Sequence, residues 1–127
     1  MNKRKVGTSY EQKAVSYFEE SGFLVLETNF YSRQGEVDIV GIHQDCLVFV
    51  EVKYRKDSQT GYPEEAVDLK KQMKICRTSD YYRIKHPEHE NRQIRYDVVA
   101  ICGEQVKWYR NAFSYLPGGK GKRRVFW

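Results

Sequence analysis

An aspartate, a glutamate and a lysine interrupt two apolar stretches of the chain. Asp38 lies within GEVDIV at positions 35–40, and Glu51 and Lys53 lie within VFVEVK at positions 48–53. The second stretch is typical of a strand that is covered on both faces. A charged group in such a strand costs roughly several kcal/mol unless it is paired, and natural sequences tolerate that cost mainly at functional sites. These three residues are therefore the first candidates for chemistry.

The two stretches predict an antiparallel hairpin that brings the acids together. If the chain reverses at positions 44–45, residues whose numbers sum to 89 face each other, so that Asp38 faces Glu51 and Glu36 faces Lys53. Opposed side chains have Cβ atoms about 4.5–5.5 Å apart, and like charges at that distance are destabilising. Two buried carboxylates therefore need a cation between them, or one of them must hold a proton.

A hard divalent cation suits this arrangement. Mg²⁺ is bound through carboxylates, keeps several waters and shares phosphate oxygens. A bound metal lowers the pKa of a water and neutralises charge on a phosphoryl group, and Lys53 would orient that water or stabilise the transition state. We predict that Asp38 and Glu51 hold Mg²⁺ or Mn²⁺. The alternative is an exposed ion pair between Glu51 and Lys53, and the flanking valines disfavour it.

Glu36 and Glu11 are further candidate ligands, and each has a structural alternative. Glu36 precedes Asp38 by two positions and lies on the same predicted face. It would ligate the metal, act through water or position the lysine, or else pair with Arg33 at the strand edge. Positions 8–11 have the Thr-x-x-Glu form of a capping box that opens a helix. Glu11 is therefore either a cap partner or a helix-borne acid that completes the site.

The remaining pattern predicts one α/β (α+β) domain with the element order αβββαββ. Helices pack on a sheet of about five strands, and Gly22 closes the first helix as its C′ residue. The second helix covers 64–83, with an apolar stripe of Ala66, Leu69, Met73 and Cys76. The predicted strands are 23–30, 36–42, 47–53, 94–101 and 105–109. We predict a single domain over 1–116 and a basic C-terminal tail over 117–127.

The net charge of +5 is concentrated at the two ends of the chain, and the predicted second helix carries a cationic face although the body of the chain is not basic. Basic arms of this kind either bind phosphates with salt-sensitive, sequence-independent affinity or are solvated tails. The cationic helix face either follows a phosphate backbone or is ordinary solvated surface, and Gln72 would bond to a phosphate or to a metal-bound water. The predicted nucleic-acid-binding residues are Arg55, Lys70, Gln72, Lys74, Arg77, Lys120, Lys122, Arg123 and Arg124.

Several protein classes are excluded by composition. The three cysteines are widely spaced, which indicates neither a zinc site nor a disulfide framework. The longest apolar runs have strand length, so no membrane helix is predicted. The charged N-terminus is not followed by the apolar region of a secretory signal. We therefore expect a cytoplasmic protein without a membrane partner.

The same residues resemble a known set. Asp38 followed by Glu51-Val52-Lys53 is similar to the PD-(D/E)xK motif of restriction-endonuclease-like nucleases. More closely, residues 7–113 resemble the YraN-like family of predicted endonuclease-like proteins. The shared segments are Glu11 with Ala14, Asn29, GEVD at 35–38, positions 48–53 with Arg55, Gly61, EAV at 65–67, Lys70 and RYDVV at 95–99.

The resemblance implies a restriction-endonuclease-like fold, in which a mixed central sheet is flanked by helices, with Asp38, Glu51 and Lys53 as the catalytic core. It also implies that Glu11 corresponds to the helix-borne acid of similar junction-resolving nucleases. Two positions depart from the family pattern, because Tyr10 stands where glycine is usual and Tyr31 stands where arginine is frequent.

The function predicted on this basis is a metal-dependent endonuclease that hydrolyses DNA. Branched or otherwise structured DNA is a candidate substrate, in repair, recombination or processing. The alternative is a non-catalytic nucleic-acid-binding module that retains the nuclease fold. A structural partner protein is a third possibility, for which ten tyrosines are the only indication.

Overall fold

The computed structural model describes residues 3–55 and 67–118, with side chains described over 9–54 and 67–118. Most of the predicted loop after the third strand and most of the predicted basic tail lie outside these ranges. The assignment of 1–116 to one domain stays a prediction.

Two helices and five strands make up the described part of the chain. Helix α1 is Lys3–Glu20, strand β1 is Leu24–Ser32, β2 is Gly35–His43, β3 is Cys46–Arg55, helix α2 is Leu69–Lys85, β4 is Gln93–Cys102 and β5 is Gln105–Phe113. A single 3₁₀ turn, Pro87–His89, connects α2 to β4. The predicted order αβββαββ is confirmed. None of the described helices is long and apolar enough to span a bilayer.

The five strands form one mixed sheet in the order β1-β2-β3-β4-β5. Strand β3 runs parallel to β4, and the other neighbouring strands are antiparallel. A parallel pair needs a long crossover connection, and the segment that contains α2 supplies it. The sheet is therefore mixed, as predicted.

Helix α1 and helix α2 cover opposite faces of the sheet. Phe18 of α1 belongs to a buried cluster with Val48 and Val50 of β3. Ile75 of α2 belongs to a second cluster, which contains the intervening Phe49. Because alternate residues of a strand point to opposite faces, β3 is apolar on both sides. Glu51, which follows this apolar stretch, is accordingly buried.

The prediction for the start of α1 is wrong. The helix already begins at Lys3, so Thr8 lies within it and Glu11 is not the partner of an N-terminal cap. The prediction for its end is confirmed. Gly22 has a φ of 82°, and the N–H of Phe23 donates to the carbonyl of Phe18 at 3.0 Å. This is the 6→1 hydrogen bond of a Schellman motif, which spans more residues than the second, 5→2 bond.

Helix α2 begins later than predicted, at Leu69. Asp68 is its N-cap, and the carboxylate of Asp68 accepts the N–H of Lys71 at 2.8 Å. The predicted apolar stripe is correspondingly wrong in part, because Leu69 is 65% exposed and Met73 is 38% exposed. Ala66 lies outside the described residues. The buried residues of α2 are Ile75, Cys76, Thr78, Ser79 and Tyr82.

Polar residues on the buried face of α2 explain why the stripe was misassigned. The hydroxyl of Ser79 shares a hydrogen bond of 2.7 Å with the hydroxyl of Tyr96 in β4. Thr78 shares one of 3.0 Å with Ser32 at the end of β1. A buried polar group is tolerated when it is hydrogen-bonded, and apolar periodicity does not register such positions.

Asp97 of β4 forms an ion pair with Arg95 of the same strand and links β4 to β5 next to a bulge in their pairing. Asp97 is fully buried and accepts hydrogen bonds from the Arg95 guanidinium at 3.0 and 2.9 Å, the Trp108 indole at 2.8 Å and the Asn111 N–H at 2.8 Å. A buried carboxylate with this number of donors is fully paired. Its partners give it a structural function.

Candidate metal centre

The β2–β3 hairpin has the predicted reversal and register. Positions 44–45 have φ values of 51° and 68°, which the two central residues of a type I′ turn require. The pairing runs from His43 opposite Cys46 to Ile39 opposite Val50. It therefore follows the predicted numbering and stops one residue before Asp38.

Asp38 continues the contact between the two strands with its side chain. Its Oδ2 accepts the backbone N–H of Val52 at 2.7 Å. Val52 lies between Glu51 and Lys53, so this bond holds the aspartate beside both predicted catalytic residues. The predicted opposition of Glu36 to Lys53 lies beyond the ladder, and the recorded cross-strand partner of Glu36 is Tyr31 of β1.

Three carboxylates from two elements converge at this point. Glu11 of α1 and Glu36 and Asp38 of β2 each offer an oxygen, and these oxygens lie within 4.8 Å of one another. The helical position of Glu11 removes the capping-box alternative. Among the ion pairs between described residues, none joins Glu36 to Arg33. The two acids that had structural alternatives thus lie together with Asp38. We call Glu11, Glu36 and Asp38 the carboxylate cluster.

The electrostatics of the cluster favour a proton or a cation. Burial and, to a smaller extent, the negative charge of Glu51 together raise the pKa of Asp38 to about 8, although the Val52 N–H acts to lower it. Burial also raises the pKa of Glu11, against a hydrogen bond from the Asn29 side chain. Carboxyl groups with raised pKa values are typical of functional sites, such as those that bind cations or transfer protons.

Glu51 lies beside the cluster with two lysines. It is 6% exposed, and its Oε2 lies 3.4 Å from Nζ of Lys53 and 3.8 Å from Nζ of Lys71. A buried carboxylate requires such pairing. Lys53 was a predicted site residue and Lys71 was not. Lys71 lies in the first turn of α2, whose N-cap is Asp68, and recognition of that aspartate as an N-cap is the signal that could have placed it.

The other predicted nucleic-acid-binding residues of α2 have different environments. Lys70 and Lys74 are exposed. The side-chain amide of Gln72 donates to the carbonyl of Val67 at 2.8 Å and so helps to hold the segment before the helix. Arg77 donates to the carbonyl of Leu116 at 2.6 Å. Nucleic-acid binding by these residues stays a prediction.

The remaining predicted binding residues cannot be placed in the site. The side chain of Arg55 lies outside the described residues, and so do Lys120, Lys122, Arg123 and Arg124. Their assignment stays a prediction.

The donor set fits a hard divalent cation. All candidate ligands are carboxylate oxygens, which Mg²⁺ and Mn²⁺ prefer. The cluster members come from a helix and a strand on one packed core. Because burial and the neighbouring charge of Glu51 raise the pKa of Asp38, a cation bound there would stabilise the ionised carboxylate.

Comparison with known proteins gives a consistent family assignment. The family described as "Uncharacterised protein family UPF0102" matches residues 10–101. A UPF0102 protein of Lachnoclostridium phytofermentans is 41% identical over 90% of this chain and 97% of its own length. Another, from Fusobacterium nucleatum, is 37% identical over 87% of this chain and 92% of its own length. A third, from Aliivibrio salmonicida, is 41% identical over 87% of this chain and 93% of its own length.

Proposed function

The chain belongs to the UPF0102 (YraN) family, whose description states no activity, and we propose from its own geometry that it is a metal-dependent nuclease acting on DNA. The observation that carries the proposal is the carboxylate cluster beside Glu51 and Lys53. The family assignment agrees with the resemblance noted from the sequence. The chemistry rests on the site alone.

Each charged group has a distinct part in the proposed reaction. Asp38 and Glu51 would hold Mg²⁺ or Mn²⁺, with Glu11 and Glu36 as supporting donors. The bound ion would make a water nucleophilic at neutral pH and offset charge on the phosphoryl oxygens. Lys53 would orient the attacking water or bind the negative charge that develops in the transition state.

The contacts of Glu51 suggest how the site accepts its substrate. In the structure, two ammonium groups neutralise this carboxylate. A phosphate that binds between the lysines would compete for them, and the carboxylate would then be available to the cation. The lysines would then pair with the phosphate and Glu51 with the cation, so that no buried charge is left without a partner.

A cleavage assay tests the proposal. Linear, nicked, branched and single-stranded DNA are incubated with the wild-type protein in Mg²⁺ or Mn²⁺. We expect Asp38→Asn and Lys53→Met each to reduce the cleavage rate by about a hundredfold or more. Lys107→Met serves as the control because Lys107 is exposed on β5. Cleavage that survives both site substitutions would contradict the proposal.

The same assay distinguishes the nuclease from the alternative function, a non-catalytic nucleic-acid-binding module. A module that retains the fold without catalysis would bind DNA with salt-dependent affinity and leave every substrate intact. Thermal unfolding with and without Mn²⁺ gives an independent measurement. A ligand that binds only the folded state stabilises it by about 2.7 kcal/mol at a hundredfold excess over its Kd.

A further inference from the structure

A groove leads away from the carboxylate cluster between the β1–β2 hairpin and helix α2. It has a volume of about 340 Å³, and Glu36 of the cluster forms part of its wall. The hairpin contributes Tyr31 and Arg33, and the helix contributes Lys71 and Lys74. The groove is therefore continuous with the proposed metal centre.

The charge along the groove suits a phosphate backbone. Arg33, Lys71 and Lys74 bring three positive charges to its walls. Lys71 is also one of the two lysines that lie beside Glu51. A cationic groove that begins at a metal-binding cluster provides both backbone affinity and a path to the reacting phosphate.

Exposed aromatic rings are cross-strand or chain neighbours of the site residues. Tyr31 is 61% exposed and is the cross-strand neighbour of Glu36. Tyr54 follows Lys53, is 47% exposed and stacks on Tyr10 with a centroid distance of 4.1 Å. Tyrosine rings stack on unpaired bases, whereas the base faces of a duplex are already covered by their neighbours.

The walls of the groove are held together before any ligand binds. Ser32 and Thr78 share a hydrogen bond of 3.0 Å that ties the hairpin to α2. The approach at Gly35 is close, because a Cβ there would lie 3.4 Å from Cβ of Lys74. A preformed groove avoids part of the ordering cost of binding.

We propose that this groove binds a single strand of DNA. Tyr31 stacks on an unpaired base next to the phosphate that the carboxylate cluster receives, and Arg33, Lys71 and Lys74 contact the backbone on the same side. The inference rests on the proposed function, because it assigns the substrate class of that site. It makes a single-stranded region the preferred ligand over a continuous duplex.

Fluorescence anisotropy in EDTA tests this inference without cleavage. The probes are a labelled oligothymidylate of about twelve nucleotides and a blunt duplex of the same length. We expect Tyr31→Ala to weaken single-strand binding by about tenfold and duplex binding by less than about twofold. Tyr31→Trp retains the single-strand affinity, because its ring also stacks.

The salt dependence of binding tests the cationic wall separately. Removal of one phosphate contact should reduce the slope of log K against log[salt] by about 0.7 for a single strand. We expect this change for Arg33→Ala and Lys74→Ala. Lys107→Ala on β5 should leave the slope unchanged. Circular dichroism confirms that each variant is folded.

The outcomes distinguish this inference from the proposed function. Single-strand binding that depends on Tyr31, with no cleavage in Mg²⁺ or Mn²⁺, supports the groove and contradicts the nuclease. Metal-dependent cleavage together with unchanged single-strand affinity in Tyr31→Ala supports the nuclease and overturns the groove. Tighter binding of the duplex than of the single strand by the wild type also overturns it.

Discussion

Replacement of Asp38 by asparagine should stabilise the metal-free protein at alkaline pH. Burial and the charge of Glu51 raise the pKa of Asp38 from 3.8 to about 8 in the folded state. The folded state therefore holds this proton more tightly than the unfolded state. The stability that it contributes is fully present below pH 3.8 and is lost as the pH rises through about 8. Asparagine has no such charge, and its side-chain oxygen can still accept the Val52 N–H.

The size of the effect follows from the two pKa values. Between pH 4 and pH 8, the unfolding free energy attributable to Asp38 falls by about 1.4 kcal/mol per pH unit. Over that interval of about four pH units, the difference between Asp38→Asn and the wild type grows to about 5–6 kcal/mol. A natural domain has a total stability of about 5–15 kcal/mol, so the difference is large enough to measure reliably.

Urea unfolding in EDTA at pH 5, 7 and 9 provides the measurement. We expect the advantage of Asp38→Asn over the wild type to increase from pH 5 to pH 9. Mn²⁺ at pH 9 should stabilise the wild type more than the variant, because a cation replaces the missing proton. Glu19→Gln, which removes an exposed charge from α1, should change stability by no more than about 0.5 kcal/mol. A variant that is no more stable than the wild type at pH 9 would refute the reasoning.

Three further predictions concern other features of the structure. Lys53→Met and Lys71→Met should each bind Mn²⁺ about tenfold more tightly than the wild type, because each removes a positive charge that competes with the metal ion. Titration calorimetry without DNA measures the affinity, and weaker binding would contradict this. Gly41→Ala should lower the free energy of unfolding by about 2 kcal/mol or more, since a Cβ at position 41 would collide with the Phe23 ring and with the backbone carbonyl oxygen of Leu24; an unchanged urea midpoint would contradict this. Asp97→Asn should destabilise the protein by about 3–5 kcal/mol, because it removes a fully buried carboxylate and leaves the half-buried guanidinium of Arg95 without its counter-charge; a loss below about 1 kcal/mol would mean that the pair is dispensable.

The features that could be predicted from the sequence depend on local patterns. Gly22 ends α1 because its φ of 82° favours glycine. The β2–β3 register follows from a two-residue turn, because the turn sets which residues are opposed. The element order αβββαββ follows from the order of the apolar segments. Each of these depends on residues that are close in the chain.

Other features depend on contacts between distant segments. The Thr-x-x-Glu pattern predicts a helix start at Thr8, but the same pattern also occurs inside helices, as it does in α1. The start of α2 is set by the Asp68 cap, and this shift brings Lys71 to Glu51. The buried face of α2 includes Thr78 and Ser79, whose hydrogen-bond partners lie on other strands. Local apolar periodicity contains no information on such partners.

The carboxylate site shows the same division. The sequence by itself determined that Asp38, Glu51 and Lys53 lie on neighbouring strands in a covered environment, because strand periodicity and the turn specify this. Only the tertiary structure decided that Glu11 joins Glu36 and Asp38 within 4.8 Å, and that Glu51 is paired with two lysines. The physical reason is that these contacts arise when α1 and α2 pack on opposite faces of the sheet, and helix packing is decided by the whole core.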